Sequence, residues 1–172
     1  GPLGQPLPIP PALRHMVLVA GGIGIASLTA LADEAAAGGL SVTLLHGART
    51  GLRMYPTSLL PRSVREVTAT DDGSAGHRGL VTHLLPQVEA QADWIVACGP
   101  TPMLQALARM RAEGILRKPI TALLELRMGC GFGACYGCTD PFATNYSQLA
   151  IYDNGSCEYN SGTWYVSTDG SN

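Results

Sequence analysis

The chain has 172 residues, of which 46% are hydrophobic and 14% are charged, and its formal net charge is −2. This length and apolar content predict one ordinary domain with a buried core, followed by at most a tail. We expect neither nucleic-acid nor membrane partners, because the small net charge attracts neither and no apolar run reaches the roughly 18 residues that span a bilayer.

Strand-like and helix-like segments alternate from residue 15 to residue 126. The strand-like runs are short, apolar and rich in β-branched residues, whereas the helix-like runs are rich in Ala and Leu. Pro86 is expected to bend or break the second helix, and Thr101 is the expected N-cap of the third. In chain order we predict a strand at 15–20, a helix at 25–39, strands at 41–48 and 63–70, a helix at 80–91, a strand at 94–100, a helix at 101–114 and a strand at 120–126.

This alternation predicts the α/β fold class. Strands that alternate with helices form right-handed βαβ units, which build a parallel sheet covered by helices on both faces. In such a sheet, ligands bind beside the carboxyl ends of the strands. Three glycine-rich turns begin at such ends, after residues 20, 46 and 97. We therefore expect the three turns to lie together at one edge of the sheet.

The first turn, "VAGGIGIASL", is compatible with nucleotide binding and with a purely structural role. A glycine turn between a strand and a helix lets a phosphate approach the backbone and the positive end of the helix. The match to the dinucleotide fingerprint G-x-G-x-x-G is partial, because Ser27 stands where the third glycine would be. A tight turn also needs glycine for steric reasons, so this turn alone leaves both interpretations open.

The later turn, "ACGPTPML", resembles a turn in the C-terminal nucleotide-binding domain of the ferredoxin-reductase-like flavoproteins. The resemblance extends over residues 1–138, where "GPLG", "AGGIGIASL", "ATDDGSAGHRGLVTHLL", "ACGPTPMLQAL" and "ELRMGCGFGACYGC" occur in that order. Together these motifs are similar to the electron-transfer subunits of NAD-dependent, B-type dihydroorotate dehydrogenase. The resemblance implies a Rossmann-like nucleotide-binding domain of ferredoxin-reductase type, followed by a Cys-rich iron–sulfur loop.

In that family the glycine-rich turns hold a nicotinamide dinucleotide, so the resemblance implies an NAD(H) site. Cys98 is also explained as a small buried core residue, but we favour the site because Cys98 ends a strand at the expected edge. We expect NAD rather than NADP, although Arg49 and Arg53 are near the end of the second strand. The implied cofactor-binding residues are Gly21, Gly22, Gly24, Gly47, Arg49, Cys98, Gly99 and Pro100.

Three cysteines, Cys130, Cys135 and Cys138, lie within nine positions of glycine-rich sequence. Their C-x4-C-x2-C spacing with a distant fourth cysteine is that of plant-ferredoxin-type [2Fe–2S] clusters. Zinc sites more often pair two short C-x2–4-C units, so the spacing favours iron–sulfur over zinc. Because the N-terminus has no secretory signal, we expect a cytoplasmic protein whose clustered cysteines bind metal. Cys157 is the predicted fourth ligand.

The composition changes near residue 138. Residues 139–172 have no Lys or Arg, four of the thirteen acidic residues and six of the ten aromatic residues. The stretch "GCTDPFATNYSQLAIYDNGSCEY" is similar to short repeats of surface and phage-associated proteins, which look disulfide-bonded or calcium-linked. This second resemblance implies a Cys138–Cys157 disulfide as the alternative to a four-cysteine cluster, within a short irregular or β tail.

The family resemblance implies an electron-transfer subunit, or a fragment of one, that passes electrons between a [2Fe–2S] cluster, FAD and NAD in pyrimidine biosynthesis. Its partner would be the catalytic subunit that contains FMN, and we expect no activity without that partner and a flavin domain. The alternatives are a redox-inactive fusion fragment that acts as a binding or structural module, and a subunit of another ferredoxin-reductase-like enzyme. The expected parts are a linker from a missing flavin domain at 1–14, the NAD-binding domain at 15–126, the cluster segment at 127–157 and a polar tail at 158–172.

Overall fold

The computed structural model describes residues 7–124 and two further short strands. Pro8–Leu124 forms one unit, and the two further strands belong to a second. The strands of the first unit are β1 (His15–Gly21), β2 (Ser41–Ala48), β3 (Val64–Thr70), β4 (His77–Arg78), β5 (Trp94–Cys98) and β6 (Ile120–Leu123). Its helices are α1 (Ile25–Ala37), α2 (Leu85–Val88) and α3 (Thr101–Ala112). In the second unit, β7 (Tyr136–Gly137) and β8 (Tyr152–Asp153) pair in parallel.

Strands β1 to β6 form one sheet in the order β4-β3-β2-β1-β5-β6. Every neighbouring pair in this sheet is parallel, which confirms the predicted fold class. The chain runs outwards from β1 through β2 and β3 to β4, and then crosses to the other side of β1 to form β5. The strand order therefore reverses between β1 and β5, and open α/β sheets bind ligands at such a switch point.

Helices cover both faces of this sheet, as the alternation predicted. Val17, Val19 and Leu45 belong to a buried cluster that includes residues from 81–88 and from α3 but none from α1. Because strand side chains alternate between the faces, α1 covers the opposite one; its buried residues are Ile25, Leu28, Leu31, Ala32 and Ala35. No helix among the described residues is long and apolar enough to cross a membrane.

Three local features complete the comparison with the predicted elements. Thr101 is not the N-cap of α3, because Pro100 occupies the cap position in an extended conformation with φ −65° and ψ 151°. The predicted helix at 80–91 is broken into short 3-10 and α segments around Pro86, as expected. His77–Arg78, predicted as loop, instead pairs with the end of β3 and becomes the edge strand.

Candidate nucleotide-binding site

A cleft of about 290 Å³ lies where β1, β2 and β3 end and α3 begins. The sheet register explains why turns that are distant in sequence meet there, because Gly21 is opposite Gly47 and Ala20 is opposite Cys98. The structure therefore brings the three predicted glycine-rich turns to one edge of the sheet. Five of the predicted cofactor-binding residues line the cleft: Gly21, Gly22, Gly47, Arg49 and Pro100.

Gly22 is the position at which the first turn opens to the cleft. Its φ of +54° is in the left-handed region that favours glycine, and a Cβ at this position would have no heavy atom within 4 Å. Gly22 also begins the 3-10 turn Gly22–Gly24, which leads directly into α1. The turn thus offers exposed backbone and open space at the start of a helix, where an anion such as a phosphate is favoured.

Gly21 and Gly47 allow the walls of the cleft to pack closely. A Cβ on Gly21 would lie 2.7 Å from Sδ of Met103 and 2.8 Å from Cδ of Pro100. A Cβ on Gly47 would lie 2.7 Å from Cβ of Val81. Any larger residue at either position would push the start of α3 or the segment after β4 away from the sheet. These two glycines therefore shape the cleft because they let the start of α3 and the segment after β4 pack against the sheet.

Gly24, Cys98 and Gly99 lie behind the cleft rather than on its surface. A Cβ on Gly24 would overlap the carbonyl group of Cys98 and lie 2.8 Å from the backbone N of Gly99. Cys98 is 2% exposed at the end of β5, and a Cβ on Gly99 would lie 2.6 Å from Cε of Met103. These three residues hold β1, β5 and α3 together at the switch point. Their direct contact with a nucleotide stays a prediction.

The predicted cofactor-binding residues include none from the part of the cleft that follows β3, although one of the family motifs spans that segment. Asp71 comes directly after β3 and lines the cleft, and so do residues 79–82 and three residues near the start of α3. The signal for Asp71 was present, because the predicted strand at 63–70 ends at the same sheet edge as the others. Arg53, by contrast, is exposed in a 3-10 turn and does not line the cleft.

Hydrogen bonds hold the segment after β3 in place. Oδ1 of Asp72 accepts hydrogen bonds from the backbone N–H of Ser74 at 3.0 Å and from its hydroxyl at 2.6 Å. These bonds favour the ionised carboxylate and lower the pKa of Asp72. Oγ of Ser74 accepts a hydrogen bond from the backbone N–H of Gly51 at 2.7 Å, and Oγ1 of Thr70 donates one to the carbonyl of Ala75 at 2.8 Å. The loops after β2 and β3 are therefore tied together beside the cleft.

His46 is fully buried in β2, one residue before Gly47. Its Nδ1 lies 3.4 Å from Oε1 of Glu66, and its Nε2 has no hydrogen-bond partner among the described residues. Burial lowers the pKa of His46 by more than its hydrogen bond and charge interaction with Glu66 raise it. The imidazole is therefore neutral near pH 7 and adds a packed ring, not a charge, beneath the second turn.

The predicted cluster ligands Cys130, Cys135, Cys138 and Cys157 lie outside the described residues. Within the described part of the chain, no group of three or more His, Cys, Asp or Glu residues is arranged to hold a metal ion. The iron–sulfur cluster therefore stays a prediction from the cysteine spacing.

Comparison with known proteins identifies the class of fold. No family model matches the chain. The solved structure of an NADH-dependent reduced ferredoxin-NADP oxidoreductase, described for flavin-based electron bifurcation, matches with a TM-score of 0.66 and 31% sequence identity. The match covers 80% of this chain and 51% of that one. The α/β unit thus has the nucleotide-binding fold of ferredoxin-reductase type that the motifs implied.

Curated relatives narrow the class further. The chain is 39% identical over 140 residues to the electron transfer subunit of dihydroorotate dehydrogenase B (NAD(+)) from Bacillus caldolyticus, covering 80% of this chain and 53% of that subunit. It is 35% identical over 158 residues to the same subunit from Listeria monocytogenes serotype 4a, with coverages of 90% and 61%. The chain is therefore a relative of these electron transfer subunits, as predicted, and spans about half the length of the first of them.

Proposed function

We propose that this chain is the NAD(H)-binding part of an electron transfer subunit of dihydroorotate dehydrogenase B, acting in pyrimidine biosynthesis. The observation that carries the proposal is the cleft at the switch point of the sheet, into which Gly22 opens with a positive φ and free space. The curated relatives supply the particular enzyme, because both are named as electron transfer subunits of this dehydrogenase.

The residues of the cleft fit a dinucleotide in an extended pose across the sheet edge. The pyrophosphate would lie against the backbone of Gly22, next to the start of α1. One nucleoside would lie toward Arg49 and the ends of β2 and β3, and the other toward Pro100 and α3. This direction follows the lining of the cleft, which runs from the end of β3 to the first two turns of α3. The nicotinamide cofactor supplies hydride transfer when it is bound.

The proposal also includes a [2Fe–2S] cluster and FAD, and the sequence motifs are what support both groups. Cys130, Cys135, Cys138 and Cys157 would hold a [2Fe–2S] cluster, which exchanges single electrons. A flavin is required to couple one-electron transfer at a cluster to two-electron transfer at a nicotinamide, and FAD is the flavin that the resemblance implies. A cytoplasmic location accords with this set, since clustered thiolates persist where the compartment is reducing.

The proposed partner is an FMN-containing catalytic subunit that oxidises dihydroorotate. An electron transfer subunit needs a partner that carries out the substrate chemistry, and the names of the curated relatives support this division of roles. The alternative of another ferredoxin-reductase-like enzyme is favoured by the similarity to the bifurcating oxidoreductase. Reconstitution separates the two: the proposal expects dihydroorotate-dependent reduction of NAD⁺ when the flavin domain and the dihydroorotate-oxidising subunit are added.

Replacing Gly22 with Ala is expected to weaken NADH binding about tenfold, because the methyl group occupies the space through which a phosphate approaches the turn. Gly39→Ala is the matched control, since Gly39 has a φ of +80°, no heavy atom within 4 Å of a Cβ, and a position between α1 and β2 outside the cleft. Both variants should lose about 1 kcal/mol of stability from the positive φ. Calorimetric titration with NADH measures the affinities. If the two variants bind NADH with equal affinity, the nucleotide does not bind at this turn.

A further inference from the structure

We propose that His77 and His83 form a binding site for a divalent transition-metal ion such as Zn²⁺. His77 is in the edge strand β4, and His83 is in the 3-10 segment Val81–Leu84 that follows it. Both residues are exposed. Their rings meet edge to face, with centroids 6.3 Å apart and planes at 79° to each other. Two neighbouring imidazoles are a donor pair that suits Zn²⁺, Cu²⁺ and Ni²⁺.

Gly79 provides the open space between the two rings. Its φ is +128°, a conformation that L side chains rarely adopt. The two atoms nearest to the position that a Cβ would occupy are both nitrogens, Nδ1 of His83 at 3.3 Å and Nε2 of His77 at 3.6 Å. One ring nitrogen of each histidine therefore borders the same space, which any residue with a side chain would fill.

A small rotation of the two exposed side chains would complete the coordination. Imidazole nitrogens bind Zn²⁺ at about 2.0–2.1 Å, so a tetrahedral ion with two such ligands holds the ring centroids about 5 Å apart. From the observed 6.3 Å, the rings must approach each other by about 1 Å. Water would fill the other positions. With two protein ligands rather than the four of a structural zinc site, the ion should exchange with solvent.

The arginine next to His77 does not occupy the space between the rings. Arg78 follows His77 in β4, and successive side chains of a strand point to opposite faces. Cγ of Arg78 is 3.0 Å from the position that a Cβ would occupy on Gly73. The stem of Arg78 therefore lies over the loop after β3 and leaves the space at Gly79 open to an ion.

The other two of the four histidines in the chain serve as internal controls. Nε2 of His15 lies 2.9 Å from Oγ1 of Thr43, within hydrogen-bond distance. His46 is fully buried, with its Nδ1 3.4 Å from Oε1 of Glu66. A metal ion would have to break the first contact or enter the core to reach the second ring, so we expect neither histidine to bind it.

The test is an NMR titration of the ¹⁵N-labelled full chain with ZnCl₂, in which the imidazole nitrogens are observed. Cysteine thiolates also bind Zn²⁺, so a signal from the histidines themselves is needed to report on this site. We expect the signals of His77 and His83 to shift along one common saturation curve while those of His15 and His46 stay in place. Mg²⁺ should shift none of the four, because it prefers oxygen ligands.

Single variants show whether the two rings hold one ion together. In His83→Gln, the His77 signal should need about tenfold more Zn²⁺ to shift, because the second ligand is gone. His77→Gln should have the same effect on the His83 signal. Both residues are exposed, so the fold should be retained, and the backbone amide spectrum checks this.

Three results would overturn the site: no shift in wild type, equal shifts of all four histidines, or a His77 signal that responds in His83→Gln at the wild-type Zn²⁺ concentration. Neither His77 nor His83 lines the cleft. The proposed function and this inference can therefore fail separately, because NADH binding is measured at other residues.

Discussion

Gly24→Ala is expected to lower the free energy of unfolding by about 3 kcal/mol, at the upper end of the usual cost of overpacking. The backbone of Gly24 has φ −58° and ψ −15°, a conformation that alanine adopts freely, so the cost is steric. The added methyl group would overlap the carbonyl of Cys98 and force the turn between β1 and α1 away from β5. Urea unfolding followed by circular dichroism measures the change.

Gly38→Ala is the control for this variant. Gly38 also has a negative φ, of −75°, and lies at the C-terminal end of α1. A Cβ there would meet the carbonyl oxygen of Glu34 at 3.4 Å, which is an ordinary contact. We expect its stability to stay within about 0.5 kcal/mol of wild type. If Gly24→Ala and Gly38→Ala unfold at the same urea concentration, the close packing between the first turn and β5 is not what holds the switch point together.

Anaerobic reconstitution with iron and sulfide is expected to give a brown protein with about two irons per chain and a rhombic EPR signal on reduction. Cys157→Ser should lose the cluster, because four thiolates are needed to hold it. Cys98→Ser should retain the cluster, since Cys98 is buried in β5 and is not one of the four proposed ligands. Iron content and the EPR spectrum of the three proteins measure the outcome.

The competing result is a disulfide between Cys138 and Cys157, as the resemblance of the tail to short repeats implied. A colourless protein in which mass spectrometry finds that disulfide would contradict the cluster. The chain would then retain its α/β unit and lack the one-electron centre, which favours the alternative of a redox-inactive fusion fragment. Loss of iron in Cys98→Ser but not in Cys157→Ser would also contradict the proposed ligand set.

The order and type of the main elements could be predicted because their signals are local. The second strand was predicted at 41–48 and is observed as Ser41–Ala48, since one apolar β-branched run accounts for it. His77–Arg78 could not be predicted in the same way, because a two-residue strand depends on tertiary pairing with the end of β3. The prediction of Thr101 as the N-cap of α3 was wrong for a related reason: the fixed φ of Pro100 determines where the helix starts.

The residues that line the cleft were predicted in part, but the different surroundings of its glycines were not. Gly22 and Gly24 look equivalent in "GGIG", yet one has open space around a Cβ and the other has none. That difference arises from the approach of β5, which sequence spacing does not encode. Gly24→Val would therefore test packing as much as binding, and Gly22 is the position at which binding can be tested. Asp71 lies beside Arg49 because β2 and β3 are paired in the sheet, so only the sheet order identifies the two residues as neighbours.

The most direct test of NAD(H) binding in this cleft is an NMR titration of the ¹⁵N-labelled chain with NADH. We predict that the backbone amide signals of Gly22, Gly47 and Arg49, which line the cleft, shift with a common saturation curve. The amides of Gly39 and Gly114 serve as internal references because they also have positive φ but lie outside the cleft, and their signals should stay in place. Shifts of Gly39 and Gly114 as large as those of the cleft residues, or no shift of the cleft residues at saturating NADH, would contradict it.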